Sequence, residues 1–144
     1  MREPSELAAI ETARQKLTLG PSVAVSSWRI SHLGPRGEDF FLLVFHKDHH
    51  DVGIAAVGIR TNEIMTSATL PGDGSHPILS VEQALSKLHP RSSEGFRAEL
   101  VWKPCRASRS PLYPIWRLWS STEELFVDQC GQVWQHLEGL SPGG

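Results

Sequence analysis

The sequence predicts an α+β fold made of two αβββ-type units, each with one helix packed on an antiparallel sheet meander. A serine-headed amphipathic segment occurs twice, and each time it is followed by period-two strands and a hairpin. We assign residues 1–70 to the first unit, residues 71–77 to a glycine- and proline-containing linker, and residues 78–140 to the second unit. The units are expected to form one compact domain, as one extended sheet or as two packed sheets.

Each unit begins with a predicted helix. Ser5 precedes apolar residues at helical spacing, and the Gly-Pro pair at 20–21 ends the segment. Ser80 heads the second helix, which is predicted to run to Leu88 before the His-Pro pair at 89–90. Serine favours the N-cap position, and proline disfavours helical backbone in the residue that precedes it. Both segments therefore carry a start signal and a stop signal.

Alternating strands follow each helix, at residues 23–30 and 96–103. Trp28 and Trp102 stand at nearly the same distance from the serine that heads their unit, which suggests a repeat. The next strands are aromatic. Phe40–Phe45 is apolar throughout and is predicted to be a central strand covered on both faces, whereas Ile115–Trp119 alternates.

A hairpin closes each unit. In the first unit it joins residues 54–60 to residues 64–66, and in the second it joins residues 125–128 to residues 133–135. Asn62 and Gly131 fall in the two turns, where tight hairpins need backbone with positive φ. Sequential strands with short turns predict antiparallel sheets.

The second unit resembles the PepSY-type domain and, more loosely, the cystatin-like helix-on-sheet units. The resemblance rests on the helix from Ser80, the strand ending at Trp102, Ile115–Trp119, and the Asp-turn-Gly-x-Val hairpin of Phe126–Trp134. Residues 59–65 look like a degraded copy of that hairpin. The architecture is also similar to small bacterial immunity proteins. These resemblances imply a non-catalytic module that binds or regulates, although PepSY-type domains are typically exported or membrane-tethered.

Composition narrows the function classes. The 144 residues carry a net charge of −2, which gives no global attraction to nucleic acid or anionic membranes. No export signal or membrane span is recognisable, so we expect a cytoplasmic protein. The charge is uneven, with seven basic and two acidic residues over 87–117, and four acids but no Lys or Arg after Arg117. Attraction between these regions, within the chain or across a homodimer, is one explanation.

The connection at residues 103–111 is the main candidate for ligand or partner binding. It is too long for a tight turn and rich in cations, and functional loops on rigid scaffolds often have this character. Arginine binds carboxylate and phosphate bidentately. The alternative is that its arginines pair with the acidic C-terminal region. The predicted binding residues are Lys103, Cys105, Arg106, Arg109 and Arg117.

Cys105 also supports an enzyme hypothesis. Neighbouring cations lower a thiol pKa, and His136 or His89 is available as a base. A disulfide between Cys105 and Cys130 is not expected, because two cysteines without an export signal favour reduced thiols. We expect no catalysis, although a Cys105-dependent enzyme remains an alternative.

The segment at 46–51 is the densest polar cluster and the only candidate metal site. The predicted ligands are His46, His49, His50 and Asp51. Imidazole and carboxylate together suit zinc or another divalent ion, with His32 or His76 as a further ligand. The alternative is a solvated connection between strands, and no cofactor is expected.

The sequence therefore favours a non-catalytic binding or regulatory module for a protein or a small anionic ligand, self-associating as a homodimer through sheet edges or exposed apolar faces. We expect no membrane partner and no nucleic-acid partner. A base-stacking face is an alternative, but tryptophans at alternating strand positions are more often core. Its residues would be Trp102, Trp116, Trp119 and Tyr113, beside Arg106, Arg109 and Arg117. The terminal Gly143 and Gly144, which end ubiquitin-like carriers, are interpreted as an unstructured end.

Overall fold

The computed structural model describes residues 2–71, 78–88 and 95–139. It has the predicted α+β composition, with two helices and eight strands in those ranges. The chain divides into two units: Met1–His32 with Arg36–Pro77, and Leu33–Pro35 with Ile78–Gly144. Most of the predicted linker, residues 72–77, lies outside the described residues. No helix in the described ranges is both long and apolar enough to cross a membrane.

Each unit consists of a helix followed by four antiparallel strands. All four strand segments of each unit were predicted, so only the label αβββ counts one strand too few. The strands of each unit lie in sequence order, each hydrogen-bonded to the next. The first unit contains α1 (Pro4–Leu17), β1 (Ala24–His32), β2 (Phe40–Lys47), β3 (His50–Gly58) and β4 (Ile64–Thr69). The second unit contains α2 (Val81–Ser86), β5 (Arg97–Trp102), β6 (Ile115–Trp119), β7 (Glu124–Val127) and β8 (Val133–Trp134).

Helix α1 begins two residues earlier than predicted. Glu3 occupies the N-cap position without a side-chain cap, and Pro4 opens the helix, so Ser5 lies in the first turn instead of capping it. Proline suits the first helical position because its missing N–H would have no partner there. The helix ends at Leu17, before the Gly-Pro pair. The next residue, Thr18, has left-handed backbone (φ 56°), and its N–H bonds back to the last turn.

Helix α2 is short and begins where predicted. The Ser80 hydroxyl accepts from the Gln83 N–H, and the Gln83 side chain accepts from the Ser80 N–H, which forms a capping box. The helix ends at Ser86, two residues before the predicted end at Leu88. The His-Pro pair at 89–90 lies outside the described residues.

Strand β2 is covered on both faces, which confirms its prediction as a central strand. The side chains at 41, 43 and 45 belong to one cluster with Ala9, Ile10 and Ala13 of α1. Phe40, Leu42 and Val44 alternate onto the opposite face and are also buried. This alternation fixes which residues of β1 lie away from the helix, because Ser26 pairs with Val44 and Trp28 with Leu42.

The segment at 46–51 forms a tight hairpin that connects two strands. Strand β2 runs through Lys47 and β3 begins at His50, so Asp48 and His49 alone form the turn. Both have positive φ (51° and 67°), as a type I′ hairpin turn requires, and Asp and His tolerate this region better than most residues. The strands therefore bring His46 opposite Asp51.

The β3–β4 turn is held by the carboxylate of Glu38. One oxygen accepts from the N–H groups of Arg60 and Thr61 (2.6 and 3.0 Å), and the other accepts from the Thr61 hydroxyl (2.7 Å). Desolvation raises the pKa of Glu38, but the hydrogen bonds from Thr61 and Arg60 outweigh this effect, so the pKa lies below the ordinary value of a glutamate.

The second sheet is covered by different elements on its two faces. Ala84 and Leu88, from α2 and the turn after it, pack with Leu118, Leu125 and Val127 on one face. On the other face, residues of the β5–β6 connection and the C-terminal segment complete a second cluster. Its buried members are Val101, Cys105, Ile115, Phe126 and Leu137. The long cationic connection thus contributes to the core of its own unit.

Trp28 and Trp102 do not occupy equivalent places. Trp28 lies on the face of its sheet away from α1, because it pairs with Leu42 and not with a residue of the helix-facing cluster. Trp102 lies four residues after Ala98 in β5, so the two side chains are on the same face of the strand. Ala98 packs in the cluster around α2. Their similar sequence spacing is therefore not a structural correspondence, and the common order of helix and strands is the feature that the units share.

Candidate functional site

A cavity of about 360 Å³ opens in the second unit beside the β5–β6 connection. One wall comes from this connection and the other from the β7–β8 turn. The lining residues are Arg106, Ala107, Ser108, Arg109, Tyr113, Asp128, Gln129 and Cys130. Two of the five predicted binding residues, Arg106 and Arg109, therefore lie at one cavity.

The connection is folded by its own hydrogen bonds. Cys105 and Ser108 exchange backbone N–H to carbonyl bonds (3.1 and 3.2 Å), which closes a tight turn around Arg106. The buried Ser108 hydroxyl accepts from Trp102 Nε1 (3.1 Å) and lies within hydrogen-bonding distance of the Ser110 and Tyr113 carbonyls. These bonds fix the backbone from which the two arginines and Tyr113 project.

Asp128 organises the β7–β8 turn. Its Oδ1 accepts from the N–H groups of Cys130 and Gln132, both at 2.9 Å, and its Oδ2 accepts from Trp134 Nε1 at 2.8 Å. Gly131 completes the turn with a φ of 87°, which favours glycine. The buried carboxylate is thus used by the turn itself, and this explains the Asp-turn-Gly pattern in structural terms.

Gln129 joins the two walls of the cavity. Its side-chain N–H donates to the Pro114 carbonyl at 2.8 Å, and its side-chain oxygen accepts from the Leu79 N–H at 2.8 Å. The turn is therefore tied to the end of the β5–β6 connection and to the residues that precede α2. A cavity braced in this way is formed before any ligand arrives.

The electrostatic character of the cavity comes from its two arginines. Arg106 forms an ion pair with Glu138 at 3.0 Å, with side-chain exposures of 65% and 61%, so this pair contributes little to stability. Arg109 is exposed, and its guanidinium has no hydrogen bond or ion pair within the described ranges. Arg109 therefore offers its full donor set to an incoming anion.

The other predicted binding residues lie elsewhere. Arg117 is in β6, where its Nε donates to Glu124 at 2.7 Å and its guanidinium lies 4.4 Å from the centre of a Trp119 ring. Lys103 is half-buried and does not line the cavity. Trp116 packs against the α2 cluster and donates to the Leu79 carbonyl, so its indole does not form an open stacking surface.

Cys105 is buried, with no exposed surface, and its thiol lies 3.7 Å from the Ser108 carbonyl. It packs with Val101, Ile115 and Phe126 as an apolar core residue. This position does not favour the Cys105-dependent enzyme hypothesis, because a nucleophile must reach its substrate. Both cysteines are free thiols, and the exposed one, Cys130, lines the cavity.

The predicted metal ligands are only partly brought together. His46 Nδ1 lies 2.7 Å from Asp51 Oδ1 across the β2–β3 hairpin, whereas His49 and His50 are exposed at its tip. Among the described residues, no group of three or more His, Cys, Asp or Glu side chains could hold a metal ion. Instead, the second ring nitrogen of His46 lies 2.7 Å from the Ser26 hydroxyl.

The predicted binding residues and metal ligands do not include Tyr113, Cys130 or Ser26. Tyr113 and Cys130 line the cavity because the connection and the β7–β8 turn converge in space, and no local pattern indicates that convergence. Ser26 lies on the same face as His46 because of the antiparallel pairing of β1 with β2. Only the register of these two strands brings the side chains together, and the sequence does not specify that register.

Comparison of the chain with protein-family models, curated proteins and solved structures finds no match in any of the three. The PepSY-type and cystatin-like resemblances therefore stay predictions.

Proposed function

We propose that the second unit is a non-catalytic binding module whose cavity takes an anionic group, carried by a protein partner or by a small molecule. The observation that carries this proposal is the exposed Arg109 at a braced cavity, with Arg106 and Tyr113 beside it. A guanidinium with all its donors available binds carboxylate or phosphate through two parallel hydrogen bonds.

Tyr113 supports the same assignment. Its side chain is half exposed at the cavity, so its apolar ring is placed to pack against a ligand. The excess of basic residues over 87–117 adds a favourable field for an anion. These features match a site in which a charged group is held by arginine and its apolar neighbour packs on the ring.

Glu138 is an internal competitor for the ligand. Its carboxylate already occupies Arg106, and Glu138 also accepts the Arg106 N–H through its backbone carbonyl at 2.9 Å. Removing the carboxylate frees the Arg106 guanidinium without disturbing the backbone bond. The proposal therefore requires opposite responses: loss of Arg109 weakens anion binding, and loss of Glu138 strengthens it.

The test is a titration of ¹⁵N-labelled protein with inorganic phosphate and, separately, acetate at constant ionic strength, followed by amide shifts around the cavity. We expect saturable shifts near Tyr113 and Cys130, about tenfold weaker binding in Arg109→Ala, and tighter binding in Glu138→Ala. Arg36→Ala removes an exposed arginine from the first unit and is the matched control. Non-saturable shifts, or equal affinities in wild type and Arg109→Ala, would contradict anion binding at the cavity.

The finer sequence predictions are proposals of the same kind. We propose that the two units derive from one helix-and-meander plan related to PepSY-type domains, and that the protein acts in the cytoplasm. We also propose self-association through β4, the terminal strand in the order of the first sheet, because Ile64–Thr69 carries no charge or proline to block edge pairing. Sedimentation of Thr66→Pro beside the wild type tests this, since a dimer retained unchanged by the variant contradicts it.

A further inference from the structure

A hydrogen-bonded chain of three side chains crosses the first unit. The Ser26 hydroxyl lies 2.7 Å from His46 Nε2, and His46 Nδ1 lies 2.7 Å from Asp51 Oδ1. The three residues come from β1, β2 and β3, so the sheet itself sets their spacing. This cluster is separate from the cavity of the second unit and has no part in the function proposed for it.

The Asp51 contact determines what His46 can do. A carboxylate accepts hydrogen bonds, so the neutral imidazole carries its proton on Nδ1 and donates it to Asp51. Nε2 is then left as an acceptor, and the Ser26 O–H is the donor within reach. The order hydroxyl, imidazole, carboxylate is the arrangement by which a histidine removes a proton from a serine nucleophile.

The β2–β3 hairpin places His46 opposite Asp51, and both side chains keep some exposure. The β2–β3 pairing shifts between Phe45 and His46, and the type I′ turn at Asp48 and His49 follows immediately. The His46 side chain is 32% exposed and the Asp51 side chain is 13% exposed, while Ser26 is half-buried. Burial of the carboxylate strengthens its hydrogen bond to the imidazole, and the imidazole itself is partly exposed.

We infer that Ser26 is a nucleophile activated by His46, with Asp51 as the positioning residue, and that the first unit accepts acyl groups from carboxylic esters with good leaving groups. The Ser26 oxygen bonds to the carbonyl carbon while its proton passes to His46 Nε2. The bond to the leaving alkoxide or aryloxide then breaks, and His46 returns the proton to it. Water, deprotonated by the same nitrogen, releases the carboxylic acid and restores the serine.

The expected rates follow from base activation alone. A positioned general base contributes on the order of 10²- to 10⁴-fold. The reaction therefore suits activated esters, and amides lie outside the proposal. This range also sets the size of the mutational effect that the proposal requires.

The experiment labels the full-length protein with an aryl fluorophosphonate, in which the Ser26 oxygen displaces fluoride from phosphorus, and maps the adduct by mass spectrometry. We expect an adduct on Ser26 and a labelling rate at least 100-fold lower in His46→Gln. Ser27→Ala is the matched control, because Ser27 is the next residue, lies on the helix-facing side and contacts Glu6 instead of a histidine. In Ser27→Ala, the adduct on Ser26 should form at the wild-type rate.

Two further measurements separate chemistry from folding. Far-UV circular dichroism and the melting temperature show whether His46→Gln keeps the fold, and imidazole ¹⁵N shifts show whether His46 carries its proton on Nδ1 in the wild type. In Asp51→Asn we expect this proton distribution to change and labelling to slow by at least tenfold. An unlabelled Ser26 in the wild type, or equal labelling in a folded His46→Gln, would overturn the inference.

Discussion

Replacing Asp128 by alanine is expected to cost about 3 kcal/mol of unfolding free energy. A hydrogen bond to a charged group contributes about 1.5–3 kcal/mol, and Asp128 accepts three of them. The donors of Cys130 and Gln132 belong to exposed residues, where water replaces the carboxylate, so we assign them about 0.7 kcal/mol each. The half-buried indole N–H of Trp134 is assigned about 1.5 kcal/mol.

The assay is urea unfolding followed by far-UV circular dichroism, with linear extrapolation to water. Asp128→Asn keeps one acceptor oxygen for the two backbone N–H groups but turns its amide toward the indole donor, so it should cost about half as much. Glu138→Ala removes an exposed carboxylate from the same unit and should cost less than about 0.5 kcal/mol. A loss below about 1 kcal/mol in Asp128→Ala, or equal losses in Asp128→Ala and Glu138→Ala, would refute the reasoning.

Three further predictions concern other parts of the chain. Glu38→Gln should lower the free energy of unfolding by about 1 kcal/mol at neutral pH. Because folding lowers the pKa of Glu38, the stabilisation by its carboxylate is complete above about pH 4.5 and is lost as the pH falls through the lowered pKa. The urea midpoints of the two proteins should therefore converge in acid. His49→Gly should raise the melting temperature, by an amount equivalent to about 0.5–1 kcal/mol, because glycine adopts positive φ without strain; an unchanged or lower value contradicts the turn assignment. Iodoacetamide should modify Cys130 in the native protein but Cys105 only after unfolding, and native-state labelling of Cys105 would place it outside the core.

The elements of this fold could be predicted because their signals are local. The aromatic strand at Phe40–Phe45 is apolar at every position, which only a strand covered on both faces can accommodate. Ser80 and Gln83 are spaced for a capping box, and the structure forms it. The predicted start of α1 is two residues too late because Pro4 competes with the N-cap signal of Ser5, and either residue opens a helix well.

The candidate sites depended on pairings that local patterns do not encode. The cationic connection was recognised from its length and charge, and Arg106 and Arg109 do lie at a cavity. Its opposite wall comes from the β7–β8 turn, however, and Cys105, predicted as a binding residue, turned inward to fill the core beneath the connection. A small apolar thiol packs well in such a core, and sequence alone does not distinguish this use from a reactive one.

The sequence by itself determined the α+β class, the order of the elements and the strands that must be buried, since each depends on residue spacing along one segment. The tertiary structure alone decided which side chains meet. Strand register placed Ser26, His46 and Asp51 in one chain, and the convergence of two distant segments placed Arg109 beside Tyr113. Side chains alternate across a strand, so a shift of one residue in register would move each side chain of the strand to the opposite face. The hydrogen bonds among the three residues in the first unit would then be lost.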